Sequence, residues 1–475
     1  MNLAKLLDPL DPIQIRGQKD KEILGIQANS REVRPKDLFI AISSTRAYID
    51  EAILSGAVAI VTDIFNPFLP KEITQIEHPN PREFAGVLAN RFYQNPSKHL
   101  DLFGVTGTSG KTTTAWMIRH LLGEDCCGIL GSLGAFMRHH MVETLLNTPE
   151  PVMVCRLLQE MVKEGLKNCS MEVSSHGLDQ KRVDHLRFHT AIFLNLSHDH
   201  LDYHKTMESY FLAKKRFFDF EVQNKVIHLD DPYGKRLVAE VKGSVVTFGR
   251  DADADFRIEN EELTLHGSKA DLIHQGKRYR LEIASIGSFH ISNMVAAIAA
   301  VYGKTLDLDS LIERAKTFQA VPGRGEMVVT QKNFQVMVDY SHKPDALKNI
   351  LQGLRKAGAK KITTVFGCGG ERDAEKRPVM ARIAEEYSDK VIVTTDNPRK
   401  EDPELIIQQI VQGFEMKSHK VVADRKSAIF TALQEAEEGE LVLIAGRGNE
   451  KEQKLRSASI PFLDSEVAKN LLDRL

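Results

Sequence analysis

Residues able to carry chemistry are concentrated in a few short stretches of the 475-residue chain. The first runs from Gly104 through Gly107, Thr108, Ser109, Gly110, Lys111 and Thr112 to Thr113 and has the composition of a phosphate cradle. Glycines let backbone N–H groups approach phosphate oxygens, and a following helix adds the positive potential of its N-terminus. Lys111 reaches the terminal phosphates and Thr112 can ligate Mg²⁺. The strict spacing is G-x4-G-K-[ST]; here Gly104 stands one residue further back, so the match is a variant. An ordinary GKT turn is the alternative, and the apolar run before it with the helical TTTAWMIRHLL after it decides for nucleotide binding.

Two more stretches offer metal or substrate ligands. Glu172, in MEVSSH at the end of an apolar run, supplies a hard oxygen for a nucleotide-bound magnesium ion, the alternative being a solvated strand-end acid. NLSHDHLDYH then places His198, Asp199, His200, Asp202 and His204 close together. Such density suggests zinc, but neither a cysteine pair nor an HExxH frame accompanies it, so its place after the phosphate loop points to a metal or substrate site. Asn224-Lys225-Val226-Ile227 fails as a guanine reader at its fourth position. Asp396-Asn397-Pro398-Arg399 reads first as a proline-containing turn after the strand KVIVTT.

These stretches need elements to hold them. DLFIAI (37 to 42) and AVAIVTDI (57 to 64) are strand-like and predict a small α/β domain over residues 1–98. From Leu102, strand runs at LFGV, KNCSMEVSS, TAIFLNLS and KVIHLD alternate with helical segments, which predicts a mainly parallel, doubly wound sheet over 99–321. After the Pro-Gly break in VPGRGEMV come MVDYSH, KITTVFGCGG, KVIVTTDNP and ELVLIAG, predicting a second doubly wound domain over 322–475. Ligands bind at the carboxyl ends of such strands, where the unusual residues cluster.

Composition narrows the classes. Hydrophobic residues at 42% and charged residues at 27% exclude a disordered or fibrous chain. A net charge of -2 provides no global field for nucleic acid or an anionic membrane, so phosphate binding must be local. Five cysteines without a C-x-x-C pair support neither a disulfide framework nor a zinc ribbon. MNLAKLLDPLDPIQ meets prolines and acids too early for a signal-peptide apolar region, and no stretch is long enough to span a membrane; the expectation is a cytoplasmic protein.

GTSGKTTT, MEVSSHGLDQKRV, NLSHDHLDYH, the AKK at 213 to 215, VPGRGEMV, VDYSHKPDAL, VFGCGGERDAEKRP, DNPRKEDP and IAGRGNE together resemble the ordered motifs of the Mur ligases. The resemblance covers nearly the whole chain. It implies an α/β enzyme of three domains: a UDP-substrate domain, a central phosphate-loop ATP domain and a C-terminal Rossmann-like domain for the incoming amino acid. It further implies a cytoplasmic monomer of peptidoglycan synthesis that joins UDP-N-acetylmuramoyl-L-Ala-D-Glu to a third amino acid through an acyl phosphate. By the same resemblance Lys111, Glu172, His200 and Lys214 are catalytic, with Thr112, Glu172, His200 and Lys214 holding Mg²⁺. Lys214, in Tyr210-Phe-Leu-Ala-Lys214, matches a lysine that carries a CO₂-derived carbamate. Ser30, Asn147, Thr148, Ser174, Gln180 and Arg182 match residues on the UDP-muramoyl dipeptide. Asp396, Asn397, Pro398 and Arg399, with Arg372, Gly446 and Glu450, match a pocket for meso-diaminopimelate, Arg372 and Arg399 facing carboxylate and Glu450 the distal ammonium.

The chain also departs from the family pattern. The loop after DLFIAI is short, Ser109, His228 and His290 stand where asparagine is usual, and Arg447 and Asn449 stand for Lys and His. Lysine as the added amino acid, a folylpolyglutamate-synthetase-like ligase and an inactive nucleotide-binding scaffold are the competing readings.

Overall fold

The computed structural model describes residues 1–8, 10, 14–42, 44–304, 306–416 and 419–475. Pro9 and Pro12, read for the N-terminal stretch, and Ser43 of the short loop lie outside the described residues. The architecture is α/β, its strands arranged in a five-stranded N-terminal sheet, a large central sheet, a six-stranded C-terminal sheet and a two-stranded ribbon. Contacts group them into two compact units, Met1–Phe256 with Ala296–Leu306 and Arg257–Val295 with Asp307–Leu475.

Within the first unit, the N-terminal layer is a five-stranded sheet ordered Gln14–Arg16, Thr74–Glu77, Ala59–Thr62, Asp37–Ile40, Gly25–Gln27. The last four are parallel and Gln14–Arg16 is an antiparallel edge. The strands of DLFIAI and AVAIVTDI are buried at every position, which is why they read as continuous apolar runs without alternation. Helix Pro81–Phe92 is started by Asn80, whose side chain accepts from the Glu83 N–H, and by proline in its first turn.

The central sheet of this unit runs Val246–Gly249, Asn224–His228, Thr190–Phe193, Asp101–Thr106, Asn168–Glu172, Cys127–Gly131, all parallel, with Gly134–Phe136 and Met141–Val142 added antiparallel at one side. The phosphate-loop strand Asp101–Thr106 therefore lies between two strands that come later in the chain. Its register pairs Val105 with Glu172 and Thr106 with Phe193, so both neighbours end level with the loop. Gly104 lies inside this strand and not in the cradle. A Cβ there would stand 2.4 Å from Phe217 Cζ and 2.9 Å from Phe188 Cε1, so the glycine makes room for two buried rings. Sequence spacing mistook a packing glycine for the first glycine of the loop.

In the second unit, residues up to Ile283 form antiparallel strands, Gly267–His274 pairing with both Phe256–Thr264 and Lys277–Ile283. That meander was not expected; its strands alternate buried with half-exposed or exposed positions and carry many polar residues, so they lack the apolar runs that marked the parallel strands. A six-stranded sheet follows, ordered Glu326–Val328, Gln335–Asp339, Glu440–Ala445, Lys361–Phe366, Lys390–Val393, His419–Val421, parallel except for the first strand. Helix Pro344–Lys356 covers it with Leu347, Ile350, Leu351 and Leu354, a stripe at helical spacing.

Cys126 is exposed, whereas Cys127, Cys155, Cys169 and Cys368 are buried. Burial pushes the thiols of Cys127 and Cys368 up to about 12. No helix of the described residues is long and apolar enough to cross a membrane.

Gly104→Ala should overpack the Phe188–Phe217 contact and destabilise the first unit by ~1–3 kcal/mol, read as a lowered midpoint in urea unfolding. An unchanged midpoint would show that the rings yield without strain.

Candidate functional site

After Thr106 the chain turns through Gly107 to Gly110 into helix Lys111–Leu122. Gly110 has φ 85°, a left-handed conformation that glycine adopts without steric cost, and no side chain caps the helix. The N–H groups of its first turn and the helix dipole are thus left to an anion, so the residues present fit a nucleotide's phosphates. Lys111 folds back over the loop, its Nζ donating to the carbonyls of Gly107 (2.8 Å) and Thr108 (3.1 Å). Lys214 Nζ donates to the same Gly107 carbonyl at 3.0 Å. Asn195, just past strand Thr190–Phe193, accepts on Oδ1 from the N–H groups of Thr108 (3.1 Å) and Ser109 (2.9 Å) and donates to the Ser109 carbonyl. Asn195 thereby clamps the loop from the neighbouring strand, a role sequence reading missed although the residue opens NLSHDHLDYH. Thr113 is buried behind the loop and the Ser109 residue is exposed.

Glu172 is 1% exposed, not a solvated strand-end acid. Its Oε1 accepts from Thr112 Oγ1 (2.9 Å), Ser132 N (2.7 Å) and Ser132 Oγ (2.9 Å). Room for it comes from Gly131, where a Cβ would stand 2.4 Å from Glu172 Oε1. Ser132 was not foreseen; its signal was weak, a small residue after the strand Cys127–Gly131. Two hydroxyls and one carboxylate around the helix start fit a hard cation that takes its remaining ligands from phosphate and water. Among the described residues no three His, Cys, Asp or Glu side chains form a metal cage.

His200 precedes the short helix Leu201–His204 with φ 53° and no capping bond from its side chain, and its Nε2 is 3.2 Å from Asp199 Oδ2. Its ring meets those of His176 edge-on at 4.8 Å and Tyr210 at 6.0 Å. Tyr210 reaches the phosphate loop through a 3.1 Å contact between its hydroxyl and Thr108 Oγ1. Lys214 is 1% exposed, contrary to an ordinary helix-surface lysine, and its Nζ lies 4.8 Å from the Tyr210 ring centroid. A carbamate keeps one N–H on Nζ, enough for the bond to Gly107, so the position fits that modification. Burial, then the Arg182 guanidinium, pulls His176 below the usual imidazole range. His198 points to the exposed side of this stretch, and His204 Nε2 pairs with Ser175 Oγ at 2.9 Å.

Thr148, Ser174, Gln180 and Arg182 form one set joined to Glu172. Thr148 Oγ1 donates to the Glu172 carbonyl (2.9 Å) and accepts from Ser174 N (3.0 Å). Ser174 Oγ accepts from Gly177 N at 3.0 Å and caps helix Ser175–Asp179. Arg182 donates to the Thr148 carbonyl (2.8 Å) and Gln180 Oε1 (2.6 Å), and Nε lies 3.3 Å from Glu150. Asn147 is exposed beside them. Ser30 belongs to the N-terminal layer, where its hydroxyl donates to Glu51 Oε2 at 3.0 Å.

The second unit gathers its own candidate residues at the carboxyl ends of parallel strands. Asn397 follows the strand Lys390–Val393; its Nδ2 donates to Glu450 Oε2 and its Oδ1 accepts from Lys454 N at 2.8 Å. Burial raises the carboxyls of Asp396 and Glu450 above the usual range, and the proximity of Asp396 adds to the shift at Glu450. Gly446, after strand Glu440–Ala445, leaves space for Asp396: a Cβ there would stand 2.8 Å from Asp396 Oδ2. Arg399, with φ 52°, donates from Nη1 to the Gly370 carbonyl at 2.6 Å. Arg372 is exposed, and both arginines approach Gly369, whose Cβ would meet Arg399 Nη1 at 3.0 Å and Arg372 Cγ at 3.8 Å. Pro398 is buried between. The result is a row of carboxylates and amide beside a pair of guanidiniums.

Comparison with known proteins gives the context. The family descriptions Mur ligase middle domain and Mur ligase, glutamate ligase domain match residues 105–301 and 323–448. The UDP-N-acetylmuramoyl-L-alanyl-D-glutamate--2,6-diaminopimelate ligase of Aquifex aeolicus is 41% identical over 460 residues, 95% of this chain and 94% of that one. A solved structure of a ligase with the same name superposes with TM-score 0.71 at 30% identity, covering 100% of this chain and 99% of that one. The MurF ligase of Thermotoga maritima in complex with ADP shares the fold at TM-score 0.67 and 19% identity, over 95% and 97% of the chains.

Asn195→Ala removes the clamp from two loop N–H groups. At about 1 kcal/mol per hydrogen bond this should weaken ATP binding roughly ten- to thirtyfold with little change in melting temperature. Calorimetric titration with ATP checks it; wild-type affinity would mean the loop holds its shape alone.

Proposed function

The chain belongs to the Mur ligase family of ATP-dependent, amide-bond-forming enzymes, and on that premise we propose that it adds meso-diaminopimelate to UDP-N-acetylmuramoyl-L-alanyl-D-glutamate. The observation that carries the reading is the convergence of the phosphate loop, Glu172 and Lys214 at one strand end, with a separate carboxylate and guanidinium row in the second unit.

A carboxylate is a poor electrophile because its leaving group would be oxide. Transfer of the γ-phosphoryl group of ATP to the terminal carboxylate of the acceptor gives an acyl phosphate and ADP. The amino group of the incoming amino acid then attacks the acyl carbon, phosphate leaves and the ammonium proton is released. Two anions meet in the first step, so positive charge is needed. Lys111 and the loop N–H groups bind and orient the triphosphate. Thr112 and Glu172, with Ser132 beside them, would hold one Mg²⁺, and His200 with Lys214 as its carbamate a second. Held by these residues, Mg²⁺ would supply positive charge against the charge that develops on the transferring phosphoryl group. Thr148, Ser174, Gln180 and Arg182, with Asn147, orient the acceptor dipeptide, and Ser30 contacts its UDP end. The N-terminal layer to residue 98, the central region to 321 and the remainder would serve UDP, ATP and amino acid respectively, in a cytoplasmic monomer.

Diaminopimelate differs from lysine by a second carboxylate at its far end. Arg399 and Arg372 supply planar donors for carboxylates, while Glu450, Asp396 and Asn397 suit the distal ammonium. With lysine Arg399 would find no substrate carboxylate to pair with. A folylpolyglutamate synthase of Mycobacterium tuberculosis shares the fold over 77% of this chain at 18% identity, whereas the diaminopimelate ligase of Aquifex aeolicus matches 95% of it at 41%. An inactive scaffold has no reason to keep Lys111, Glu172, His200 and Lys214 together.

Purified protein with ATP, Mg²⁺, UDP-muramoyl dipeptide and candidate amino acids should release phosphate only when acceptor and amino acid are both present. Lys111→Ala and His200→Ala should each reduce that rate by ~10²–10³, the scale of one lost electrostatic contact to a transition state. Near-normal turnover in either variant contradicts the mechanism.

Meso-diaminopimelate should be preferred over L-lysine, by less than the ~10⁴ available to a site with a fully buried polar partner, since Arg399 is half-buried. Arg399→Ala or Arg399→Lys should raise its apparent KM steeply while ATP affinity stays unchanged. Equal use of lysine by the unaltered enzyme would overturn the specificity and leave the ligase reading standing.

A further inference from the structure

Behind Asp396, Asn397 and Glu450 lies a cluster of buried ions that the proposed reaction does not use. Asp464, first residue of helix Asp464–Leu472, is fully buried, and Arg425 and Arg447 are each 1% exposed. Arg425 meets Asp464 with both arms of its fork, Nε to Oδ1 at 2.8 Å and Nη2 to Oδ2 at 2.6 Å, and also donates to the Ala445 carbonyl. Arg447 Nη2 donates to the carbonyls of Glu452 (2.8 Å), Phe462 (3.0 Å) and Glu450 (3.4 Å), tying down the segment that carries Glu450. Its Nη1 is 4.0 Å from Asp464 Oδ1 and its Nε 3.9 Å from Glu450 Oε2, without a hydrogen bond to either. Asp396 is held by Gln453, whose Nε2 donates to its carbonyl at 2.7 Å.

With Arg399, which also acts on Glu450, reserved for a substrate carboxylate, the buried Asp396 and Asp464 and the half-buried Glu450 stand against the buried Arg425 and Arg447, three carboxylates to two guanidiniums. Burial makes that imbalance consequential, since a buried charge without a counter-charge is costly and attracts one. Asp464 takes Nε and Nη2 of Arg425 and leaves its Nη1 without a hydrogen bond, and Arg447 spends Nη2 on backbone carbonyls. Neither arginine is then drawn fully onto Asp396 or Glu450.

Resting on the proposed ligase reaction, we infer that Asp464 is a positioning residue for the incoming amino acid: by engaging Arg425 and lying beside Arg447, which ties down the Glu450 backbone, it keeps both guanidiniums off the Asp396 and Glu450 carboxylates and leaves them one negative charge in excess, ready for the distal ammonium. Asp464 touches no substrate itself. Removing its charge frees Arg425 to pair with Asp396, and the excess disappears.

Steady-state kinetics of the full chain test this. Asp464→Asn should raise the KM for diaminopimelate about tenfold, the scale of one close charge interaction, while kcat and the KM values for ATP and UDP-muramoyl dipeptide stay near wild type. Asp464→Asn combined with Arg425→Gln restores the charge count and should bring that KM back toward wild type. A merely structural role would lower the active fraction, and so kcat, without moving one KM. If Asp464→Asn does not fold, Arg425→Gln is read instead: it raises the excess from one charge to two and should lower the KM for diaminopimelate severalfold. An unchanged KM for diaminopimelate in these single variants, or a KM still raised in the double variant, overturns the inference. Absence of any diaminopimelate-dependent phosphate release by the wild type would instead overturn the proposed function.

Discussion

The parallel pairing of Asp101–Thr106 between two later strands is the constraint on which the first unit's site depends. Because Val105 lies opposite Glu172 and Thr106 opposite Phe193, the three strands stop together. Whatever follows each of them is delivered to one place: the phosphate loop from the first, Glu172 and Ser174 from the second, Asn195 and the histidine stretch from the third. A shift of register by one residue would reverse which face each side chain takes and carry the Glu172 carboxylate away from Thr112. Chemistry dispersed over a hundred residues of sequence is thus assembled by backbone hydrogen bonds alone. The second unit repeats the device with the strands ending at Asp339, Phe366, Val393 and Ala445.

How much of this was legible depended on the range of the interactions. The phosphate loop was legible because strand, glycines, lysine and helix are contiguous, and the parallel strands were legible because burial on both faces makes them apolar throughout. Gly104 was misassigned because spacing alone cannot tell a glycine that admits phosphate from one that admits Phe217. Asn195 and Ser132 escaped notice since their partners, the Thr108 N–H and the Glu172 carboxylate, are 87 and 40 residues away. The polar meander before Ile283 offered neither apolar runs nor chemistry. Asp464 lay in a stretch that drew no attention, and its importance follows only from Arg425, 39 residues earlier.

Two of the ten non-glycine residues with positive φ among the described residues belong to the candidate sites. His200 and Arg399 both hold positive φ, at 53° and 52°, a region costing non-glycine residues roughly 1–2 kcal/mol. Neither is a glycine or asparagine, for which the conformation would be unremarkable. In each case the neighbours supply the compensation: Asp199 accepts from the His200 N–H, and Lys454 accepts from the Arg399 N–H through its carbonyl. The side chains are therefore aimed by over-determined backbone and not by rotamer preference, which suits groups that must meet a ligand at fixed geometry.

The distribution of thiols has a practical side. With Cys126 exposed and the other four cysteines buried, two of them with thiols raised to about 12, a maleimide dye or spin label offered to the native chain at neutral pH reacts at one position. Cys126 directly precedes strand Cys127–Gly131, at the amino end of a sheet whose carboxyl ends carry the phosphate loop. A reporter there sits on rigid scaffold, remote from the chemistry. Paired with a fluorescent nucleotide, it gives the first unit a ready-made ruler that needs no cysteine removed and none introduced.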